Sequence, residues 1–169
     1  MIKVLFICHG NICRSPMAEF IFKHMVNTHG LQSKFYIASA ATSTEEIYRG
    51  VGNPMYPPAK RELQKHNIHF EERQAIQLKK SDYETYDFLI GMDDANIRNI
   101  QRMTGCKCGD IIRPCKERKI YKLLEFVGEK RDVADPWYTG DFNATYQDIT
   151  RGLEGFLSFL RSRYVIHKI

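Results

Sequence analysis

The first nineteen residues confine this chain to few folds. Ile2-Lys3-Val4-Leu5-Phe6-Ile7 is a short β-branched and aromatic run, the composition of a strand buried on both faces. His9-Gly10-Asn11 breaks it at once. Ser15-Pro16-Met17-Ala18-Glu19 then offers an N-cap candidate, a proline at the first helical position and an acid in the first turn. Ala18, Phe20, Ile21, Met25 and Val26 follow at helical spacing, which predicts a helix from about Pro16 to Thr28, stopped near Gly30.

The alternation of strand and helix continues. Phe35-Tyr36-Ile37-Ala38 reads as a second strand, and Ala59 to Lys65 as a helix that follows the Pro54/Pro57/Pro58 loop and ends near Asn67. Tyr86 to Met92 is a third strand with a helix from Asp94 to Met103 behind it, and a further short strand is expected around Ile111-Ile112. A long helix is predicted from Phe142 to Arg163, with Tyr146, Ile149, Leu153, Phe156, Phe159 and Leu160 on its buried stripe. The expected architecture is α/β: a single three-layer domain over residues 1–169, its short, mostly four-stranded parallel sheet flanked by helices on both faces.

Composition narrows the function classes. A length of 169 residues suits one domain, and 43% hydrophobic with 27% charged residues suits a globular chain. No apolar run approaches the roughly 20 residues of a membrane span, and Val4 to Cys8 is too short for a signal peptide, so the expected location is cytoplasmic, away from membranes. The net charge of +5 is dispersed, without a block of like charges, which argues against a nucleic-acid partner and for mild attraction to anionic substrates. The five cysteines lack the paired spacing of zinc ligands, so no metal is expected and free thiols in a reducing compartment fit best.

The chemistry concentrates in Cys8-His9-Gly10-Asn11-Ile12-Cys13-Arg14-Ser15, which fills the turn between first strand and first helix. Ligands of open α/β sheets bind at such turns. Backbone N–H groups of the turn and of the helix N-terminus form a cradle for a phosphate-sized anion. Gly10 permits the tight turn, and Asn11 tolerates a left-handed conformation better than most residues. The same field favours a thiolate at Cys8, at the base of the cradle. Arg14 supplies a planar fork for two equatorial oxygens of a transferring phosphoryl group. An ester also needs a proton for its leaving oxygen. Asp135-Pro136-Trp137-Tyr138 is the best candidate to deliver it, the proline stiffening the loop and the aromatic pair walling an aryl leaving group.

Together, V-L-F-I-C-H-G-N-I-C-R-S-P-M-A-E at the start, S-A-A-T-S-T at 39 to 44, G-M-D at 91 to 93 and D-P-W-Y at 135 to 138 resemble a low-molecular-weight protein tyrosine phosphatase over nearly the whole chain. The resemblance implies an enzyme without cofactor or metal, active at mildly acidic pH, with tyrosine-phosphorylated proteins as substrates and phosphate as product and inhibitor. It implies Cys8 as nucleophile, Arg14 as phosphate-binding residue and Asp135 as general acid, then base. Ser15 would donate to the Cys8 thiolate, Asn11 and Ser39 would brace the loop, and Cys13 would pair reversibly with Cys8 under oxidation. His9, Ile12, Trp137 and Tyr138 would line the crevice, with Ile47 or Tyr48 as additions. In two places the chain departs from the family. The stretch Glu45 to Gly52 is longer than in animal members, and Arg73 stands where many members carry a histidine, so that role is not carried over. Cys106, Cys108 and Cys115 have no counterpart and read as a surface thiol cluster.

Three rivals are open. A thioredoxin-coupled arsenate reductase shares the fold and the Cys-x5-Arg loop, but needs relay cysteines just past the third main strand, where this chain has Met92-Asp93-Asp94-Ala95. A protein-arginine phosphatase is expected to carry a small polar residue in place of Ile12. A catalytically dead phosphoprotein-binding module would have lost Cys8 or Asp135, and both are present.

Overall fold

The computed structural model describes residues 1–106 and 118–164. Along the chain, β1 (Ile2–Cys8) leads through the turn into α1 (Arg14–Thr28) and on to β2 (Phe35–Ala41). A small hairpin of β3 (Ile47–Tyr48) and β4 (Val51–Gly52) follows, then α2 (Pro57–Lys65), α3 (Asp82–Thr85), β5 (Phe88–Gly91) and α4 (Asp94–Thr104). The last described elements are β6 (Ile120–Lys122), α5 (Pro136–Thr139) and α6 (Phe142–Arg163).

The main sheet has the order β2-β1-β5-β6, parallel at every pairing. Because side chains alternate along a strand, β1 feeds two cores. Val4, Phe6 and Cys8 join the larger one with Met17 and Phe22 of α1, Leu63 of α2 and Phe156 of α6. Leu5 and Ile7 join the smaller one with Ile100 of α4 and with Leu78 and Tyr86. Both faces being covered explains why β1 reads as an unbroken apolar run. The Phe22 ring meets Phe6 edge-on at 5.8 Å and Phe156 at 5.3 Å, and its complete burial contributes about 1.5–3 kcal/mol.

Strand order reverses direction at β1, since the chain leaves it for β2 on one side and returns to β5 on the other. The carboxyl ends of β1 and β5 therefore border the crevice where this architecture binds ligands.

Two local readings, the start of α1 and the part played by Gly10, are corrected. Helix α1 begins at Arg14, with Cys13 at the N-cap and no side-chain cap bond, so Ser15 and Pro16 lie inside the first turn and Glu19 beyond it. Ser15 does not cap because its hydroxyl is spent on the turn. Gly10 stays outside the left-handed region, and Asn11 enters it, at φ 57°. What Gly10 provides is clearance, since a Cβ there would meet Glu46 Cγ at 3.1 Å. The strand expected at Ile111-Ile112 lies outside the described residues, and the described fourth strand is the three-residue β6, which is flanked by charges and too short to show periodicity.

Helix α6 packs on the 3-10 turn Leu123–Val127 that follows β6. A Cβ on Gly155 would lie 2.6 Å from the Phe126 carbonyl oxygen, a backbone atom with little room to yield. Overpacking costs about 1–3 kcal/mol, against a helix-propensity gain of about 1 kcal/mol. Gly155→Ala is therefore expected to lower the urea unfolding midpoint by an amount equivalent to about 1 kcal/mol, at unchanged m-value.

Candidate active site

Three donors converge on the sulfur of Cys8 at the end of β1. The Asn11 N–H lies 3.3 Å away, the Ser15 N–H 3.4 Å and the Ser15 Oγ 3.0 Å. The direction of the last bond follows from its neighbour: Ser15 Oγ accepts from Asn11 Nδ2 at 2.7 Å, which leaves the hydroxyl proton for the sulfur. The Asn11 amide is itself oriented, because its Oδ1 accepts from the Ile76 N–H at 3.0 Å and from Arg73 Nη2.

Asn11 is fully buried in its left-handed conformation, a strain that persists only where surrounding bonds over-determine it. Arg73 provides part of that restraint by also donating from Nη1 to the Asn11 carbonyl at 2.6 Å. Among the described residues no carboxylate lies within ion-pair distance of Arg73. Burial lowers its pKa, opposed by Glu19 and Cys8 at longer range. Arg73 thus puts a positive charge behind the cradle while fixing the shape of the loop.

Arg14 is buried on the open side of the loop. Its Nη1 donates to Asp93 Oδ2 at 2.8 Å and to the Val133 carbonyl at 2.9 Å, and its Nη2 to Asp135 Oδ2 at 3.3 Å. Burial works against the charge, yet Cys8, Asp135 and Asp93 together hold its pKa above the ordinary value. A guanidinium has five N–H donors, so two remain for an oxyanion. Asp93 has two tasks: Oδ1 caps α4 through the Asn96 N–H at 2.7 Å while Oδ2 holds Arg14.

Cys13 is a buried free thiol whose pKa is pushed well up, first by burial and then by the negative charges expected at Cys8 and Asp135. Of the two cysteines in the turn, only Cys8 has a set of donors arranged for a negative sulfur.

Asp135 caps α5, its Oδ1 accepting from the Trp137 N–H at 3.1 Å, with Pro136 buried at the first helical position. This short helix carries the aromatic wall: Trp137 and Tyr138 line the cleft while remaining 56% and 85% exposed. The Trp137 ring leans on Tyr56, centroids 4.9 Å apart. His9, Gly10, Ile12 and Cys13 line the cleft from the loop side.

Several expected positions are placed elsewhere. Ser39 gives its hydroxyl to Glu19 at 2.6 Å and does not brace the loop directly; that work falls to Arg73 and the Ile76 amide. Ile47 packs against the Ile12–Cys13 cluster, and Tyr48 lies under Arg49 on the hairpin. Glu45 and Glu46 line the mouth in their stead, Glu45 pairing with His9 Nε2 at 3.0 Å. Cys106 is buried, which removes it from a surface thiol cluster, and Cys108 and Cys115 lie outside the described residues. Asp93 was visible only as part of the G-M-D motif, an acid just past a strand end. Arg73 carried no local signal and stood out only as a departure from the family's histidine, with no role assigned to it.

A family model described as low molecular weight phosphotyrosine protein phosphatase matches residues 3–165. The chain is 36% identical over 163 residues to the low molecular weight protein-tyrosine-phosphatase YfkJ of Bacillus subtilis, covering 95% of this chain and 97% of that one. It is 37% identical over 158 residues to the mouse low molecular weight phosphotyrosine protein phosphatase, covering 92% and 93%. The crystal structure of YfkJ superimposes with a TM-score of 0.84 over 96% of each chain, and that of a Drosophila arginine phosphatase with 0.80 at 30% identity over 95% and 98%. With sequence, fold and the order of the motifs in agreement, the chain belongs to the low molecular weight phosphotyrosine protein phosphatase family.

Proposed function

We propose that this protein-tyrosine phosphatase hydrolyses phosphotyrosine and small aryl phosphates in two steps through a cysteinyl-phosphate. The Cys8 thiolate attacks phosphorus as the P–O bond to the phenol breaks, and Asp135 gives its proton to the departing oxygen. Water then attacks phosphorus as the S–P bond breaks, Asp135 takes up a proton from it, and Cys8 leaves as thiolate with release of inorganic phosphate. Arg14 and the backbone amides of His9 to Ser15 bind the equatorial oxygens, most strongly as charge develops on them. The supporting observation is the convergence at one sulfur of three hydrogen-bond donors, with the Arg14 guanidinium and the Asp135 carboxyl facing each other at 3.3 Å beside it.

Ile12 and the Trp137-Tyr138 wall favour an aryl ester, long enough to reach the recessed sulfur. The substrates are then tyrosine-phosphorylated proteins in the cytoplasm, with phosphate as product and inhibitor, and neither metal nor cofactor takes part. Cys13, held as a thiol, condenses with Cys8 once a peroxide has oxidised that thiolate to the sulfenic acid, releasing water and leaving a reducible disulfide.

The 30% identity to an arginine phosphatase favours phosphoarginine as a second reading, opposed by the apolar Ile12 in the loop. Comparing kcat/KM for phosphotyrosine and phosphoarginine decides between them, with phosphotyrosine expected to win. In an arsenate reductase the segment after β5 would carry a relay cysteine, and here Asp93 is committed to Arg14.

Cys8→Ser is expected to reduce hydrolysis of para-nitrophenyl phosphate by at least about 10³-fold while retaining phosphate binding, and full activity in this variant would sink the mechanism. Asp135→Ala should slow phosphotyrosine turnover by about 10²–10⁴-fold, with a smaller loss for the better para-nitrophenolate leaving group. Arg73→Leu should lower kcat/KM by about 10²-fold and weaken inhibition by phosphate, because Asn11 loses the bonds that hold the loop.

A further inference from the structure

Lys122, the last residue of β6, is a nearly buried cation in a place where no local pattern calls for one. Its side chain is 7% exposed, and its ammonium donates to Asp94 Oδ1 at 2.8 Å, to Asp132 Oδ1 at 3.0 Å and to the Lys130 carbonyl. An ammonium has three N–H donors, so all are used. Asp132 Oδ1 also accepts from the Asp94 N–H at 3.1 Å, which ties in the first turn of α4.

These bonds hold the segment that delivers Asp135. Between Gly128 and Asp132 no side chain is buried, so no apolar contact anchors this stretch. The same stretch is also tied to α6, by the two-pronged Arg131–Asp148 pair at 2.8 and 2.7 Å and by Glu129, which joins Arg131 to Arg151. From Asp132 the chain continues through Val133, whose N–H donates to the Met92 carbonyl at 2.9 Å and whose own carbonyl accepts from Arg14, to Asp135.

We propose that Lys122 is a positioning residue for the general acid: by pinning Lys130 and Asp132 to the end of β6 and the start of α4, it fixes where Asp135 stands over Cys8. This rests on the reading of Asp135 as the acid. Without the ammonium, Asp94 and Asp132 lose the cation that joins them, and the Asp94 N–H bond is what still ties Asp132 to α4. The loss falls on Asp135 rather than on phosphate binding. Arg14 keeps Asp93, whose other oxygen is held by the Asn96 amide of α4.

The test is a double-mutant cycle of Lys122→Met and Asp135→Asn on two substrates, phosphotyrosine with a poor leaving group and para-nitrophenyl phosphate with a good one. A displacement of about 1 Å at a reacting group costs up to about 10²-fold. Lys122→Met is expected to lose about tenfold more in kcat/KM, which reports the leaving-group step, on phosphotyrosine than on para-nitrophenyl phosphate. It should also flatten the basic limb of the phosphotyrosine pH profile, and cause no further loss in the Asp135→Asn background. Asp132→Asn, which removes one carboxylate at constant size, should show a weaker form of the same substrate split and carries the test if Lys122→Met does not fold. Equal losses on both substrates, or losses that multiply with Asp135→Asn, would overturn the proposal and leave Lys122 a purely structural cation. If Asp135→Asn itself treats both leaving groups alike, the acid assignment fails instead, and that result is read separately from the cycle.

Discussion

The cradle depends on one residue held where its backbone resists going. Asn11 adopts a left-handed conformation in full burial, and this aims its N–H at the Cys8 sulfur while its side chain primes Ser15 to do the same. A non-glycine residue in that region is strained, so its neighbours must supply the restraint. Here they are Arg73, with two bonds, and the Ile76 amide. Both come from the segment after α2, far along the chain. The loop is thus a junction at which a distant segment reads out the shape of the turn.

Charge is distributed around the sheet's carboxyl edge by the same logic. Arg14 lies between Asp93 and Asp135, Arg73 stands behind Asn11, and Lys122 bridges Asp94 and Asp132. Buried cations cost several kcal/mol unless paired and hydrogen-bonded, and Arg14 and Lys122 meet this with partners on separate elements, while Arg73 is held by two bonds to Asn11. The partners on β5–α4 and in the segment before α5 hold Arg14 in position before any anion arrives. That is preorganisation in the electrostatic sense, with dipoles and charges in place and little left to reorganise.

Much of this was legible before any coordinates, for local reasons. A strand end, a turn and a helix start lie within eight successive residues, so Cys8 to Ser15 could be read as an anion cradle from turn chemistry alone. Asp-Pro followed by two aromatics reads as a stiffened loop with an aromatic wall, and the structure adds that Asp135 caps the short helix α5 that carries the wall. The long amphipathic period of α6 defined both of its ends. Where the reading slipped, local signals competed with a tertiary demand. Ser15 looks like a cap until its hydroxyl is claimed by a sulfur, and Ser39, expected as a loop brace from the family resemblance alone, gives its hydroxyl to Glu19. Strand β6 was invisible because three residues set among lysines and an arginine carry no period, and one of those lysines is buried.

By itself, then, the sequence determined the alternating architecture, the nucleophile candidate, its cradle and the candidate acid, since each is written in contiguous residues whose backbone preferences agree. Only the tertiary structure decided what holds them in register. The bonds from Arg73 to Asn11, from Arg14 to Asp93 and from Arg14 to the Val133 carbonyl span 62, 79 and 119 residues. Lys122 meets Asp94 and Asp132 only because β6 ends beside α4. No local pattern encodes such pairs. They arise where parallel strands bring the carboxyl ends of distant segments to one edge, and burial there makes each charge find its partner.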